Sequence, residues 1–214
     1  MTVKIKTDLL VIGAGAGGLS VAAGAAQLGI KVVLLEGDKM GGDCLNYGCV
    51  PSKALIAFSN QRKPKQFNNA MGFVRDAINE IEPHDSEERF RSLGVNVIRE
   101  YGQFVNETTV AAGAYEIQPR RIVIATGVHT PVPDISGLSD VQYYTNQTIF
   151  DLTKKPEHLL VLGGGPVGVE LAQAFARLGV NVTIFEKRKL LSNFSREQVE
   201  ICLLYTSPSP RDRI

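Results

Sequence analysis

An α/β fold on parallel strands, with one βαβ unit used twice, is what this sequence predicts, and three observations predict it. Residues 9–36 and 159–186 match without a gap at a constant offset of 150. Leu9-Leu10-Val11 returns as Leu159-Leu160-Val161, Leu28-Gly29 as Leu178-Gly179, and Glu36 as Glu186. Gly13, Gly15 and Gly18 return as Gly163, Gly165 and Gly168. Each copy reads as a short apolar strand, a tight glycine turn, a helix rich in small residues, a second strand and an acid. Short apolar runs of this kind suit strands of a parallel sheet covered on both faces. Arg121-Ile122-Val123-Ile124-Ala125-Thr126-Gly127 reads as a further buried strand ending in a turn.

The glycine spacing has a chemical reading. The first glycine permits the turn, the second lets backbone approach a pyrophosphate, and the third lets helix pack on strand. The phosphates then meet a helix N-terminus, whose free N–H groups and dipole favour negative charge. The closing acid accepts hydrogen bonds from ribose hydroxyls. One such turn could be purely structural. Two aligned copies, each with its acid in place, predict two nucleotide sites of Rossmann-like type, one per domain. Glu186 favours a free 2′-hydroxyl over a 2′-phosphate, with Lys187 and Arg188 read as solvated charges after a strand. Gly29 and Gly179 sit where helix C-caps are expected.

Composition narrows the classes. A chain of 214 residues suggests one or two domains, and an apolar share of 44% supports a sizeable core. A net charge of +1 predicts neither nucleic acid nor an anionic membrane as partner. No apolar run reaches the roughly 18–20 residues a membrane span needs. Met1 to Lys6 leads straight into a strand without a signal-peptide core, so the expectation is cytoplasmic. Three cysteines in that compartment point to redox or metal chemistry rather than a structural disulfide framework. Metal is the weaker choice, since His84, His129 and His158 all lie far from Cys44 and Cys49 in sequence and read as surface or loop residues.

Between the repeats, Pro51 to about Phe58 reads as the start of a helix with proline in its first turn. Residues 61–69 read as a polar turn or helix end. Ala70 to Ile81 has helical spacing through Met71, Val74 and Ile78. Glu82 to Ser86 is a breaker, with Ser86 capping a further short helix. Strand character runs over Leu93–Ile98 and over Phe104–Ile117, interrupted by Gly113. Pro131 to about Lys155 is a proline-punctuated linker.

Cys44 and Cys49 flank four residues in Gly41-Gly42-Asp43-Cys44-Leu45-Asn46-Tyr47-Gly48-Cys49-Val50-Pro51-Ser52-Lys53. Two thiols just downstream of a nucleotide fingerprint suggest electron transfer between a nucleotide cofactor and a disulfide. The segment resembles the redox-active disulfide signature of the class I pyridine nucleotide-disulfide oxidoreductases, the family of dihydrolipoamide dehydrogenase, glutathione reductase and mercuric reductase. The resemblance runs from about Thr7 to about Ser195. It implies FAD at Gly13, Gly15, Gly18 and Glu36, and NAD(P)H, with NADH favoured, at Gly163, Gly165, Gly168 and Glu186. It implies that Gly41 and Gly42 lie along the flavin site, and that Ala125, Thr126 and Gly127 close the first part of the FAD domain. Cys44 looks like the interchange thiol and Cys49 the thiol held against the flavin. Lys53, close to the flavin, pairs with Glu170 across the domain boundary. Both cysteines are expected to have depressed pKa values, from a helix N-terminus or nearby positive charge. The substrate would be a small molecule, a lipoyl or other dithiol, or a metal ion. Full-length relatives are homodimeric, with a catalytic His-Glu pair serving the partner's disulfide.

The expected layout is a Rossmann-like FAD-binding domain at 1–150, incomplete and bearing the redox pair. The first βαβ unit of a second, truncated NAD-binding domain follows at 151–192. The stretch 193–214 is an anomalous tail, read as not native: residues 201–214 depart from the family, Ser207-Pro208-Ser209-Pro210-Arg211 cannot continue a helix, and Cys202 is assigned no role. Members of the family are about twice this length, so the dimerisation domain and its base are expected to be missing. The alternative reading is a flavin-binding fragment without turnover.

Overall fold

The structure is a computed structural model that describes residues 2–61, 66–192 and 194–200. The chain forms two compact units, Met1–Pro51 with Asp76–Gln147, and Ser52–Arg75 with Thr148–Ile214. The expectations for residues 201–214, Cys202 among them, lie outside the described residues.

The first unit is built on β1 (Val3–Ile12), α1 (Ala16–Gln27) and β2 (Val32–Leu35). Helices α2 (Gly42–Asn46), α3 (Cys49–Ser59), α4 (Phe67–Ile81) and α5 (Glu87–Ser92) follow, and the unit boundaries fall within α3 and α4. Strands β3 (Asn96–Ile98), β4 (Gln103–Asn106), β5 (Thr109–Ala112) and β6 (Tyr115–Ile124) complete a six-stranded sheet in the order β3-β2-β1-β6-β5-β4. β1, β2, β3 and β6 run parallel, while β4 and β5 form an antiparallel arm on β6.

Strand alternation divides the core. Val11, Val32, Leu34 and Val97 pack with Leu19, Ala22 and Ala25 of α1 and Phe90 of α5. Leu10, Ile12, Val33, Leu35 and Ile98 pack in a second cluster with Val110 and Ala112 of the arm and Ile117 of β6. The small residues of α1 are the reason it lies close to the strands. Gly29 closes α1 with φ +76° and donates its N–H to the Ala26 carbonyl, as its place in the sequence predicts. Ser86 caps α5 by accepting from the Arg89 N–H at 3.3 Å. Gly113, at φ +55°, makes the turn between β5 and β6.

The second unit holds β7 (His158–Leu162), α6 (Pro166–Arg177) and β8 (Asn181–Phe185), with β7 and β8 paired in parallel. Val169, Ala172, Ala174 and Phe175 of α6 are buried. Phe67 of α4 sets its ring 6.1 Å from that of Phe175. No helix among the described residues is long and apolar enough to cross a membrane.

Four sequence expectations need correction. β7 and β8 are not buried on both faces: alternate residues Leu160, Leu162 and Phe185 are more than half exposed, because α6 covers one face of the pair. The strand at residues 121–124 is likewise only partly covered, and Ile124 is 65% exposed. α4 starts at Phe67, three residues before the periodic run, because Phe67 supplies an aromatic contact that the surrounding polar residues hide in sequence. α3 starts at Cys49 rather than Pro51, and proline is tolerated there because first-turn N–H groups need no helical acceptor.

Candidate functional site

The two glycine turns share one backbone plan. Gly13 has φ +103° and Gly163 φ +108°, conformations that favour glycine. The Gly13 N–H donates to the Leu35 carbonyl at 2.8 Å, and the Gly163 N–H to the Phe185 carbonyl at 2.8 Å. A Cβ on Gly18 would strike the Gly13 carbonyl oxygen, and one on Gly168 the Gly163 carbonyl oxygen, so the third glycine of each turn is a packing requirement. Gly15 and Gly165 are the N-caps of α1 and α6. Neither helix has a side-chain cap or an acidic residue in its first turn. Both N-termini thus keep free N–H groups and a positive dipole end, which is the chemistry that accepts phosphate.

The two acids are also placed alike. Glu36 Oε2 accepts from the Ala14 N–H at 2.6 Å, and Oε1 from the Asp38 N–H at 2.7 Å. Glu186 Oε2 accepts from the Gly164 N–H at 2.7 Å, and Oε1 from the Arg188 N–H at 2.7 Å. The Arg188 and Gly164 N–H groups hold the Glu186 carboxyl below its ordinary value. Each carboxylate is therefore an oriented acceptor beside its glycine turn.

The plan runs further than the sequence match. The Gly41 N–H donates to the Ala14 carbonyl at 2.9 Å, and the Leu191 N–H donates to the Gly164 carbonyl at 2.8 Å. Leu191, at φ +54°, takes the left-handed place that Gly41 fills at +83°. Sequence comparison misses this because glycine and leucine share no side-chain feature.

What surrounds the turns differs. A Cβ on Gly13 would strike the Ala125 carbonyl and lie 3.2 Å from Thr126 Cα, so the predicted Ala125-Thr126-Gly127 segment walls the first turn. A Cβ on Gly42 would lie 2.6 Å from Gly15 Cα, and Gly15 and Gly41 form a parallel bridge. Glycines 15, 41 and 42 thus bring bare backbone together, leaving a cradle that side chains would fill. These residues fit a dinucleotide at the first turn. Around Gly163 and Gly165 a Cβ would meet nothing within 4 Å.

Bare backbone at Gly41–Gly42 also delivers the thiols. α2 carries Cys44 and α3 opens with Cys49. Both are free thiols, Cys44 half-buried and Cys49 exposed. Burial first, and then the hydrogen bond and charge of Cys49, push Cys44 up to about 11. This corrects the expectation of a lowered value at Cys44: no cation among the described residues offsets its desolvation, and the charge of Asp85 adds to the rise. Asp85, itself raised by burial, carried no signal in the sequence. Asp43, next to Cys44, accepts from Asn146 Nδ2 at 3.2 Å, and Asn146 Oδ1 accepts from Thr130 at 2.7 Å. Lys53 forms an ion pair with Glu170, and both partners lie within the second unit rather than on two sides of a domain boundary. His84 ends a short 3-10 helix over Glu82–His84 and His129 lies in a loop, both exposed, and His158 opens β7 with its Nε2 2.9 Å from Thr183 Oγ1.

Comparison with known proteins adds the following. The family model described as pyridine nucleotide-disulphide oxidoreductase matches residues 7–204. The mercuric reductase of Streptomyces lividans is 37% identical over 91% of this chain and 45% of its own length. That of Bacillus cereus is 35% identical over 89% and 33%, respectively. The dihydrolipoyl dehydrogenase of Haloferax volcanii is 36% identical over 84% and 42%. Among solved structures, the Cu(II) complex of the HOCl-induced flavoprotein disulfide reductase RclA from Escherichia coli superposes with a TM-score of 0.83 at 30% identity, covering 93% of this chain and 46% of that one. The chain thus spans between a third and just under half of the relatives named here.

Proposed function

Because the chain belongs to the pyridine nucleotide-disulphide oxidoreductase family, we propose that it holds FAD at the first glycine turn and a nicotinamide dinucleotide, NADH by preference, at the second, and exchanges electrons with substrate at Cys44 and Cys49. The observation that supports this best is the contact of Gly42 with Gly15, which ties the dithiol segment to the phosphate end of the first turn. FAD bound there would supply two-electron chemistry between a hydride donor and a disulfide. In this reading Gly13, Gly15 and Gly18 admit the pyrophosphate, Glu36 takes the ribose, and Gly41, Gly42, Ala125, Thr126 and Gly127 line the path. Gly163, Gly165, Gly168 and Glu186 do the same for the nicotinamide cofactor. Lys53, held by Glu170, supplies a fixed positive charge.

The residues' own chemistry balances as follows. The Cys44–Cys49 disulfide takes up two electrons and two protons, its S–S bond breaks, and two thiols result. Cys44, as interchange thiol, then attacks a disulfide substrate, whose S–S bond breaks to leave one substrate thiol and a mixed disulfide, and Cys49 displaces the second substrate thiol as the protein disulfide re-forms. In the reverse sense a dithiol substrate is oxidised. A thiol raised to about 11 keeps its proton at neutral pH, so exchange needs a base to receive it. That base and a homodimeric partner belong to the full-length enzyme of this reading, acting in the cytoplasm on a lipoyl or other dithiol, or on a thiol-binding metal ion. A second reading, a FAD-binding fragment without turnover, is favoured by the open apolar face of β7 and β8.

The test is a thiol count on the full chain, oxidised and loaded with FAD. NADH is expected to raise the count by two in the wild type and not in Cys44→Ser, with NADPH slower. No gain of thiols sinks the proposal, and faster NADPH sinks the role given to Glu186. Lipoamide and Hg(II) as acceptors then separate the substrate classes, and thiol gain with neither one turned over selects the fragment reading.

A further inference from the structure

We infer that Tyr101 is a positioning residue for the adenine of the first-site nucleotide, held with Arg99 as a clamp on the turn that follows the ribose acid; the inference rests on reading that site as a nucleotide site. It starts at Gly37, directly after Glu36. A Cβ there would lie 2.5 to 2.6 Å from Cδ1, Cδ2 and Cε1 of Tyr101. Near-equal distances to atoms on both sides of the ring mean that Gly37 meets the ring face-on. Yet Tyr101 is 75% exposed, so its opposite face is open to solvent.

The same segment grips the turn at two more points. The Arg99 guanidinium donates to the Asp38 carbonyl, and the Glu36 N–H donates to the Ile98 carbonyl at 3.1 Å. Three consecutive turn residues are therefore each held from residues 98–101, beside the C-terminal ends of β2 and β3. Ligands of open α/β sheets bind at those ends. An outward aromatic face one residue from the ribose acid is a stacking platform for a nucleobase, which is attached to that same ribose. Stacking of this kind tolerates any base and needs no hydroxyl. In the second copy the corresponding turn residues are the exposed Lys187 and Arg188, so the platform is a property of the first site.

The experiment titrates the full chain with FAD, and separately with ADP, for wild type, Tyr101→Phe, Tyr101→Leu and Tyr101→Ala, with thermal unfolding measured alongside. Tyr101→Ala and Tyr101→Leu are expected to weaken both ligands about tenfold, within the range base–aromatic stacking provides, while Tyr101→Phe stays within about twofold of wild type. Rescue by phenylalanine but not by leucine is a pattern that mere packing on Gly37 would not produce. If Tyr101→Ala fails to fold, Tyr101→Leu still decides. Wild-type affinity in the leucine variant, or an equal loss in the phenylalanine variant, overturns the inference alone. A wild-type chain that binds neither FAD nor ADP overturns the site reading and this inference with it.

Discussion

The glycine turns at Gly13–Gly18 and Gly163–Gly168 have the same hydrogen bonds and dissimilar neighbours. In the first, Ala125-Thr126 on one side and Gly41-Gly42 on the other close in until only bare backbone fits. In the second, Gly163 and Gly165 face open space. The difference shows that the repeated motif specifies the turn, its oriented acid and the helix N-terminus, but not the walls. The walls come from chain outside the repeat: residues 41–42 and residues 125–126 in the first copy. The same separation explains why the dithiol belongs to one copy. Gly42 can approach Gly15 because neither has a side chain, whereas the corresponding place in the second copy is Ser192.

The largest effect that would break this comparison is at the first glycine. Gly13→Ala puts a Cβ into the Ala125 carbonyl at φ +103°, and backbone cannot step aside. It is expected to cost about 3–5 kcal/mol, the range of severe core strain. Gly163→Ala pays only for its backbone conformation, about 1–2 kcal/mol. Denaturant midpoints of the two variants check this, and equal losses would mean that the walls around Gly13 are not formed in solution.

Next is Gly42→Ala. Its Cβ would lie 2.6 Å from Gly15 Cα, and φ is +56°. The expected cost is about 2–3 kcal/mol, together with weakened FAD binding, while Ser192→Gly changes stability by about 0.5 kcal/mol or less. A freely tolerated Gly42→Ala that binds FAD normally would detach the dithiol segment from the first turn.

The thiols sharpen the comparison by pH. The Cys44 thiol is raised from 9.0 to about 11, so the folded form keeps a proton that the unfolded chain loses. Its contribution to stability is present below 9.0 and is lost as pH rises from there towards about 11. In a Cys202→Ser background, the iodoacetamide alkylation rate of Cys44 should keep climbing past pH 9, and Cys49→Ser should shift that rise to lower pH while burial keeps it above the ordinary value. An inflection of Cys44 below 9 in the dithiol form would show that a cation reaches it.

The smallest effect concerns the second acid. The Glu186 carboxyl is held below its ordinary 4.5 by N–H groups of Arg188 and Gly164. Such a group adds stability above 4.5 that fades as pH falls through the lowered value. Its carboxyl carbon shift in an NMR titration should move only below pH 4.5, and a midpoint above that would mean the carboxylate is not capping the turn.

By itself the sequence determined the repeat, and with it the two strand–turn–helix units, the acids at Glu36 and Glu186, the caps at Gly29, Gly179 and Ser86, and the membership of Cys44 and Cys49 in one motif. These are local properties, set by glycine's conformational range, helix capping and apolar period, and they are legible because each needs only a few neighbouring residues. Tertiary structure alone decided the rest. It set Ala125 against Gly13, Tyr101 against Gly37 and Gly42 against Gly15, pairs far apart in the chain whose contact leaves no periodic trace. It placed Leu191 in a left-handed conformation that a sequence reader assigns to glycine, since a buried leucine can offset that strain only where a pocket awaits it. It left one face of β7 and β8 open, although their apolar runs read as buried, because burial depends on which element arrives to cover a strand and not on the strand's own residues. And it raised Cys44 where the motif suggested the opposite, because a thiol's acidity is set by how much water and which charges surround it in the folded chain.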